Sequence, residues 1–301
     1  MMQNTVSIQL SLDECLGLEK TFRDAGWRKE PMENEYVVFR MENDNGSVAI
    51  LYTSRKLVFQ GKENFDEMVS RVRQGLVAKE VAVKPHIGVD EVGKGDYFGP
   101  LVVVACFVNE DSAKKFLDIG VGDSKKFSDG KIMKMYEQMK DYEYYYPSIV
   151  MPEEYNALVK ETGNVAILLA RQHSKVIEEG LKDLEEKGVR CDSVVIDQFS
   201  SRDDRVKDEL GELGKEANFE QYHKGESDIA VACASVLARG IFLEEMEKMR
   251  KEYDFDFPKG ATHVIEKGKE FVKRYGADEL EKVAKVSFKT TTSLVGKLSF
   301  V

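Results

Sequence analysis

Gly88-Val-Asp-Glu-Val-Gly-Lys-Gly-Asp-Tyr-Phe-Gly-Pro100 carries the chain out of one apolar run, His86-Ile-Gly-Val-Asp90, and into another, Leu101-Val-Val-Val-Ala-Cys-Phe-Val108. Both runs have the length and β-branched content of buried strands, and the glycines between them mark a tight turn. Asp90 and Glu91 therefore stand at the end of a strand, where side chains leave a core for a site. Neighbouring carboxylates there repel each other unless a cation lies between them, so the pair favours a metal.

Further along, Tyr144 to Val150 predicts a third strand and Ala166 to Glu186 a helix. A short buried strand over Ser193-Val-Val-Ile-Asp197 and a long helix from Asp228 to Lys251 follow. Strands first, then alternating helix and strand, imply an α/β domain: a mixed sheet with helices on its faces. Asp197 ends a strand and Asp228 opens a helix, so four carboxylates mark the ends of three elements. Alone, Asp228 reads as a first-turn acid favoured by the helix dipole, and Asp197 reads equally as a turn residue or a site residue.

Upstream of the decisive stretch, Thr5-Val-Ser-Ile-Gln-Leu10 alternates polar and apolar side chains as a half-buried strand does. A helix is predicted over Asp13 to Ala25, capped by Ser11. Strands follow at Tyr36 to Met41, Val48 to Thr53 and Lys56 to Gln60, with Asn45-Gly46 as the hairpin turn. A second helix, Glu63 to Leu76, closes a small α+β module, and Ala78-Lys-Glu-Val-Ala-Val-Lys-Pro85 reads as a linker. The expected domains are 1–82 and 83–301.

With 301 residues, 42% of them hydrophobic, the chain can bury two cores. Its formal charge of −10 excludes a protein that coats nucleic acid by bulk attraction. The charge is uneven: Met1 to Lys84 holds 12 Lys+Arg against 13 Asp+Glu, so the acid excess belongs to the remainder. Arg55 to Lys79 holds six bases against three acids, a local excess that can meet phosphates. Cys15, Cys106, Cys191 and Cys233 have no CxxC spacing, so free thiols are expected, with neither disulfides nor zinc. The longest apolar run is too short to span a bilayer and no signal peptide is legible, so a soluble cytoplasmic protein without membrane contact is expected.

Gly88 to Gly95 nearly fits the phosphate-binding loop G-x-x-x-x-G-K-[ST]. It fails because Gly95 takes the place of the magnesium-binding hydroxyl and because two acids occupy the loop that should cradle phosphates.

The whole stretch Gly88 to Pro100 resembles the opening of the catalytic domain of ribonucleases HII and HIII. Gly122-Asp-Ser-Lys-Lys126, Val194-Val-Ile-Asp-Gln-Phe199, Gly225-Glu-Ser-Asp-Ile-Ala-Val-Ala-Cys-Ala-Ser235 and Phe257-Pro-Lys-Gly260 are similar to later pieces of that family, in the same order. Lys94, where HII enzymes usually carry arginine, and the preceding module both point to the HIII branch. The resemblance implies a ribonuclease H-like sheet with flanking helices, preceded by a module like half of a TATA-binding protein. It also implies a monomeric endonuclease that cuts the RNA strand of RNA/DNA hybrids and leaves 5′-phosphate and 3′-hydroxyl ends.

By the same resemblance, Asp90, Glu91, Asp197 and Asp228 are both catalytic residues and ligands of two magnesium or manganese ions, with Asp90 expected to bridge them. Hard carboxylate oxygens suit those ions. Gly93, Lys94 and Gly95 are expected to read the 2′-hydroxyl that distinguishes RNA from DNA. Ser124 and Lys125 are expected at phosphates, together with Lys56, Gln60 and Lys62 of the N-terminal module. Tyr142, Tyr144, Tyr145 and Tyr146 read as strand residues with alternate burial rather than as a stacking platform. His173 reads as a surface or packing histidine, without a role.

Overall fold

The computed structural model describes residues 4–15, 17–31, 34–73, 83–122, 124–197, 205–222, 228–261 and 264–295. It divides into two compact units, Met1–Val83 and Lys84–Val301. Most of the expected linker lies outside the described residues.

In the first unit, β1 (Asn4–Gln9), β2 (Arg28–Glu30), β3 (Val37–Glu42), β4 (Val48–Tyr52) and β5 (Lys56–Gly61) form an antiparallel sheet in the order β1-β5-β4-β3-β2. Alternation along each strand sends Ile8, Phe39, Leu51, Leu57 and Phe59 to one face. There they pack with Leu18 and Phe22 of α2 (Leu18–Asp24) and Val72 of α3 (Asp66–Arg73). The helix expected over Asp13 to Ala25 is two helices. Gly17, with φ 73°, opens α2 after the one-turn α1 (Leu12–Cys15). Ser11 does cap α1: its N–H and hydroxyl donate to Glu14 Oε2 at 2.7 and 3.0 Å, and Glu14 N donates back to Ser11 Oγ.

The Asn45-Gly46 hairpin is present. Asn43 Oδ1 accepts from Asn45 N and Ser47 N, and Glu63 accepts from the Asn43 and Asn45 side-chain amides. Glu63 is thus part of the hairpin, and α3 starts only at Asp66, whose N–H the Asn64 side chain receives. β2 escaped the sequence reading because Arg28-Lys29-Glu30 has no apolar alternation. It is a short, charged edge strand, a form that discourages further pairing.

The second unit is built on the order β10-β9-β6-β7-β8. β6 (His86–Val92) lies at its centre, antiparallel to β7 (Leu101–Val108) and parallel to β9 (Ser193–Asp197). β8 (Tyr145–Val150) borders β7, and β10 (Phe219–Tyr222) runs parallel to β9. Between β7 and β8 come α4 (Glu110–Ile119) and α5 (Asp129–Met139). Between β8 and β9 come α6 (Pro152–Thr162) and α7 (Val165–Glu186). After β9 the chain forms α8 (Arg205–Glu209), α9 (Glu212–Glu216), β10 and α10 (Ile229–Tyr253). It ends in α11 (Ile265–Tyr275), α12 (Leu280–Val283) and α13 (Lys289–Val295). Among the described residues no helix is long and apolar enough to cross a membrane, and all four cysteines are free.

All eight residues of β7 are buried because α7 and α10 both pack against it. The first half of α10, Ile229 to Phe242, is apolar nearly all round, as a helix segment enclosed by its own domain must be, and the charged half from Glu244 to Glu252 reaches the surface. Its first turn lies directly on the central strand: a Cβ built on Gly88 would stand 2.1 Å from Val231 N and 2.2 Å from the Ala230 carbonyl carbon. The tyrosines at β8 are half-buried rather than alternately buried. The hydroxyls of Tyr142, Tyr145 and Tyr146 donate to Phe107 O, Lys140 O and Asp183 Oδ2.

Gly88→Ala must push α10 backbone off the sheet, because no flexible side chain is there to yield. A loss of about 1–3 kcal/mol is expected, as for other overpacked cores, and would be read as a lower midpoint in thermal or urea unfolding.

Candidate active site

Alternation along β6 divides its side chains between the two helices that cover the sheet. His86 and Gly88 face α10, while Ile87 meets α7 at Gly180. Asp90 continues the first set and Glu91 the second. The two carboxylates thus leave the strand on opposite sides, which corrects the expectation of two neighbouring charges held apart only by a cation.

Asp90 is buried, and its Oδ1 accepts the Glu91 N–H at 2.8 Å. Glu91 meets His173 of α7, with Nε2 3.2 Å from Oε2, and Lys94, with Nζ 3.6 Å from Oε1. Burial alone would raise the Glu91 carboxyl. The imidazole and the lysine outweigh it, so its pKa lies below the ordinary value and the group is a carboxylate at neutral pH.

β9 brings the third acid to the same edge. The parallel register pairs Val89 with Ile196, and one residue further along each strand stand Asp90 and Asp197. The Asp197 side chain lies outside the described residues. The carboxyl ends of adjacent parallel strands are where open α/β sheets place their sites.

Asp228 is placed differently. It is the N-cap of α10, with Oδ1 accepting from Ala230 N and Val231 N at 2.9 and 3.0 Å. Its carboxylate also meets His86 Nε2 at 2.9–3.0 Å, at the first residue of β6, four residues before Asp90. Both halves of the earlier reading bear on it, since it caps a helix and stands on the face of the sheet that carries Asp90. Among the described residues no three His, Cys, Asp or Glu side chains converge closely enough to hold a metal ion.

The glycine turn follows at once. Gly93 has φ 88°, and a Cβ there would stand 2.1 Å from Pro100 O, so only glycine permits the loop to close on itself. Gly95 has open space around it, and Asp96 N donates to Gly93 O. The far side of the turn is held by C-terminal segments: Gly260 N donates to Asp96 Oδ1 at 2.6 Å and Tyr97 N to Gly260 O at 2.8 Å.

Ser124 is buried, its hydroxyl 2.7 Å from that of Ser235 on α10, and Arg239 Nη1 donates to Ser124 O at 2.5 Å. Its hydroxyl is therefore engaged inside the protein, while Lys125 beside it is exposed. Asp129 pairs with Arg239 at 2.8 Å and with Lys259. Lys126 has its side chain, and Asp123 the whole residue, outside the description. In the first unit, Lys56 and Gln60 share the β5 face turned away from Leu57 and Phe59, and Lys62 is exposed just past the strand.

Residues 87–291 match the model of the family described as Ribonuclease HII. The ribonuclease HIII of Protochlamydia amoebophila is 34% identical over 262 residues, 84% of this chain and 85% of that protein. The ribonuclease HIII of Streptococcus gordonii is 33% identical over 271 residues, 86% of this chain and 88% of that protein. The chain belongs to the ribonuclease HII family, on its HIII branch. Among solved structures it is similar to Bst-RNase HIII in complex with Mn2+, with a TM-score of 0.70 and 25% identity over 98% of this chain and 99% of that one. It is also similar to RNase H3 of Aquifex aeolicus, with a TM-score of 0.56 and 26% identity over 94% of this chain and all of that one. The fold is the ribonuclease H-like mixed sheet with flanking helices, and the first unit, an antiparallel sheet with helices on one face, is consistent with half of a TATA-binding protein.

For this member of the HIII branch, sequence reading missed His86 and Arg239, and it named His173 only as a surface or packing histidine without a role, whereas the residue is fully buried against Glu91. His173 lies on the buried stripe of α7 with Leu169, Val176, Ile177, Gly180 and Leu184, and a polar residue at helical spacing within such a stripe was the available signal. His86 was visible only as a polar residue opening a buried strand.

Asp228→Ala removes a carboxylate cap and should cost about 0.5–2 kcal/mol, whereas Asp228→Asn, which keeps an acceptor, should unfold nearly as the parent does. Thermal melts of the two variants check this, and equal losses would show that His86, rather than the helix amides, makes the larger demand on the charge.

Proposed function

We propose that this chain is a metal-dependent endonuclease that hydrolyses the RNA strand of RNA/DNA hybrids. The observation that carries the reading is the register of β6 and β9, which sets Asp90 beside Asp197 at one sheet edge, with Glu91 and the Gly93-Lys94-Gly95 turn immediately beyond. The ribonuclease HIII relatives support the activity, and the Mn2+ in Bst-RNase HIII supports a divalent ion.

Asp90, Glu91, Asp197 and Asp228 are the proposed ligands, and their hard oxygens fit magnesium or manganese. Two such ions, when bound, supply activation of a water on one side of phosphorus and stabilisation of the leaving oxygen on the other, so that 5′-phosphate and 3′-hydroxyl ends result. His173 holds Glu91 ionised and oriented. The Gly93 to Gly95 backbone offers its amides and carbonyls to the 2′-hydroxyl, a group that both donates and accepts. Lys125 meets a backbone phosphate beside the cut, with Ser124 as its rigid base, and Lys56, Gln60 and Lys62 meet phosphates further along the hybrid. The protein acts as a cytoplasmic monomer.

An end-labelled hybrid incubated with magnesium, manganese or chelator should be cut in its RNA strand only, and only with metal. Single-stranded RNA and duplex DNA should survive. Asp90→Asn and Asp197→Asn should abolish cutting while leaving hybrid binding within a few-fold, and normal turnover by either would refute the assignment. Lys125→Ala should raise KM more than it lowers kcat. Tight binding without cutting under every metal would mark a binding protein instead.

Asp228 needs its own comparison, since its carboxylate is already occupied by His86 and the α10 amides. Asp228→Asn keeps the cap, so lost cutting with an unchanged melting temperature supports a ligand. If Asp228→Asn stays active and Glu226→Gln does not, the fourth ligand is the acid two residues earlier and Asp228 is a cap alone.

A further inference from the structure

Lys285 is a fully buried lysine that the mechanism above does not use. Its Nζ donates to three backbone carbonyls of one loop: Asp96 O at 3.0 Å, Gly99 O at 2.5 Å and Pro100 O at 3.2 Å. An ammonium has three N–H donors and no acceptor, so the match is complete. An apolar side chain of equal length would fill the space without the cost of removing a charge from water, but could not gather three carbonyls. Burial pushes the Lys285 amine down to about 7, and Asp96 opposes this.

Those three carbonyls belong to the rear of the glycine turn. Pro100 O occupies the place where a Gly93 side chain would begin, and Asp96 N closes the turn onto Gly93 O at 3.2 Å. The main chain of the Lys285 segment already pairs with the middle of the loop: Lys285 N donates to Tyr97 O, Gly99 N donates to Val283 O, and Phe98 bridges Ala284. These bonds grip residues 97 to 99. The ammonium extends the grip to Asp96 and Pro100, two residues that lie against Gly93.

We infer that Lys285 is a positioning residue for ribose recognition, presetting from behind the Gly93 to Gly95 backbone that meets the 2′-hydroxyl. The inference rests on the proposed role of that turn. Without the ammonium, the loop keeps its central pairing and the Gly260 bond to the Asp96 side chain but loses the restraint on the Asp96 and Pro100 carbonyls, so discrimination by the 2′-hydroxyl falls.

The test is a cycle of four values of kcat/KM: wild type and Lys285→Met, each with an RNA/DNA hybrid and with a hybrid whose ribonucleotides carry 2′-fluorine. If the fluorinated hybrid is uncut, its competitive inhibition constant replaces kcat/KM in both enzymes. Wild type should prefer the hydroxyl, and in Lys285→Met that preference should shrink by about fivefold or more, a coupling of the size seen between interacting groups. A merely structural lysine would lower both values equally, and an unchanged preference in a folded variant overturns the inference. Should Lys285→Met not fold, Lys285→Gln is taken through the same cycle, and failure of both to fold makes Lys285 a determinant of the fold and ends the proposal. Failure of the parent reading is separate, because wild type would then cut no hybrid at all.

Discussion

The contact of α10 with β6 at Gly88 is the constraint on which the second unit depends. Where the helix starts on the strand is set by backbone against backbone, with no side chain to adjust the distance. Once it is set, the positions along α10 follow at 1.5 Å per residue. Asp228 lies by His86, Ser235 reaches Ser124, Arg239 ties Ser124 to Asp129, Phe242 comes against Gly93, and Met246 against Gly99. One buried helix therefore sets the height of the cap, the lysine turn and the glycine turn relative to the central strand. A helix of small apolar residues, Ala230, Ala232, Ala234 and Ala238 among them, suits that duty because it can approach a sheet closely.

Charge at the site is managed by burial and by specific partners. Burial pushes the carboxyl of Glu91, on a strand covered on both faces, upward, and the His173 imidazole with Lys94 outweighs that and holds it below the ordinary value. Lys285 is the opposite case, an amine that burial pushes toward its neutral form and that three carbonyl dipoles and the nearby Asp96 hold as a donor. Both arrangements place an ionisable group beside the glycine turn in a setting poor in water, where each partner counts for more than it would at the surface. Acidic composition and nucleic-acid chemistry are thereby compatible. On the proposed function the acids near Asp90 serve cations, and the bases proposed for phosphates, Lys56, Lys62 and Lys125, are exposed.

Much of this was legible before any coordinates. Alternation in Thr5 to Leu10, the continuous apolar run of β7, the Asn45-Gly46 turn and the all-apolar start of α10 are local patterns, and each corresponds to an observed element. The errors have local causes as well. Gly17 breaks a helix because its left-handed φ overrides the apolar spacing on either side, and Glu63 is drawn from a helix into a hairpin by two asparagine amides. α4, α5, α6 and the C-terminal helices were passed over, although α5 carries Ile132, Met135, Tyr136 and Met139 at helical spacing and that signal was available.

Residue order along the chain was sufficient for the strand ends that carry Asp90, Glu91 and Asp197 and for the family to which the chain belongs, because both are written in contiguous stretches. Partners were beyond its reach. That Asp90 and Glu91 leave opposite faces, that Glu91 meets a histidine 82 residues away, that Asp228 caps its helix against His86, and that Lys285 grips a loop 185 to 189 residues upstream are decided only when distant segments pack. Hydrogen bonds and ion pairs act over a few ångströms in space and are indifferent to separation along the chain, so no local pattern encodes them.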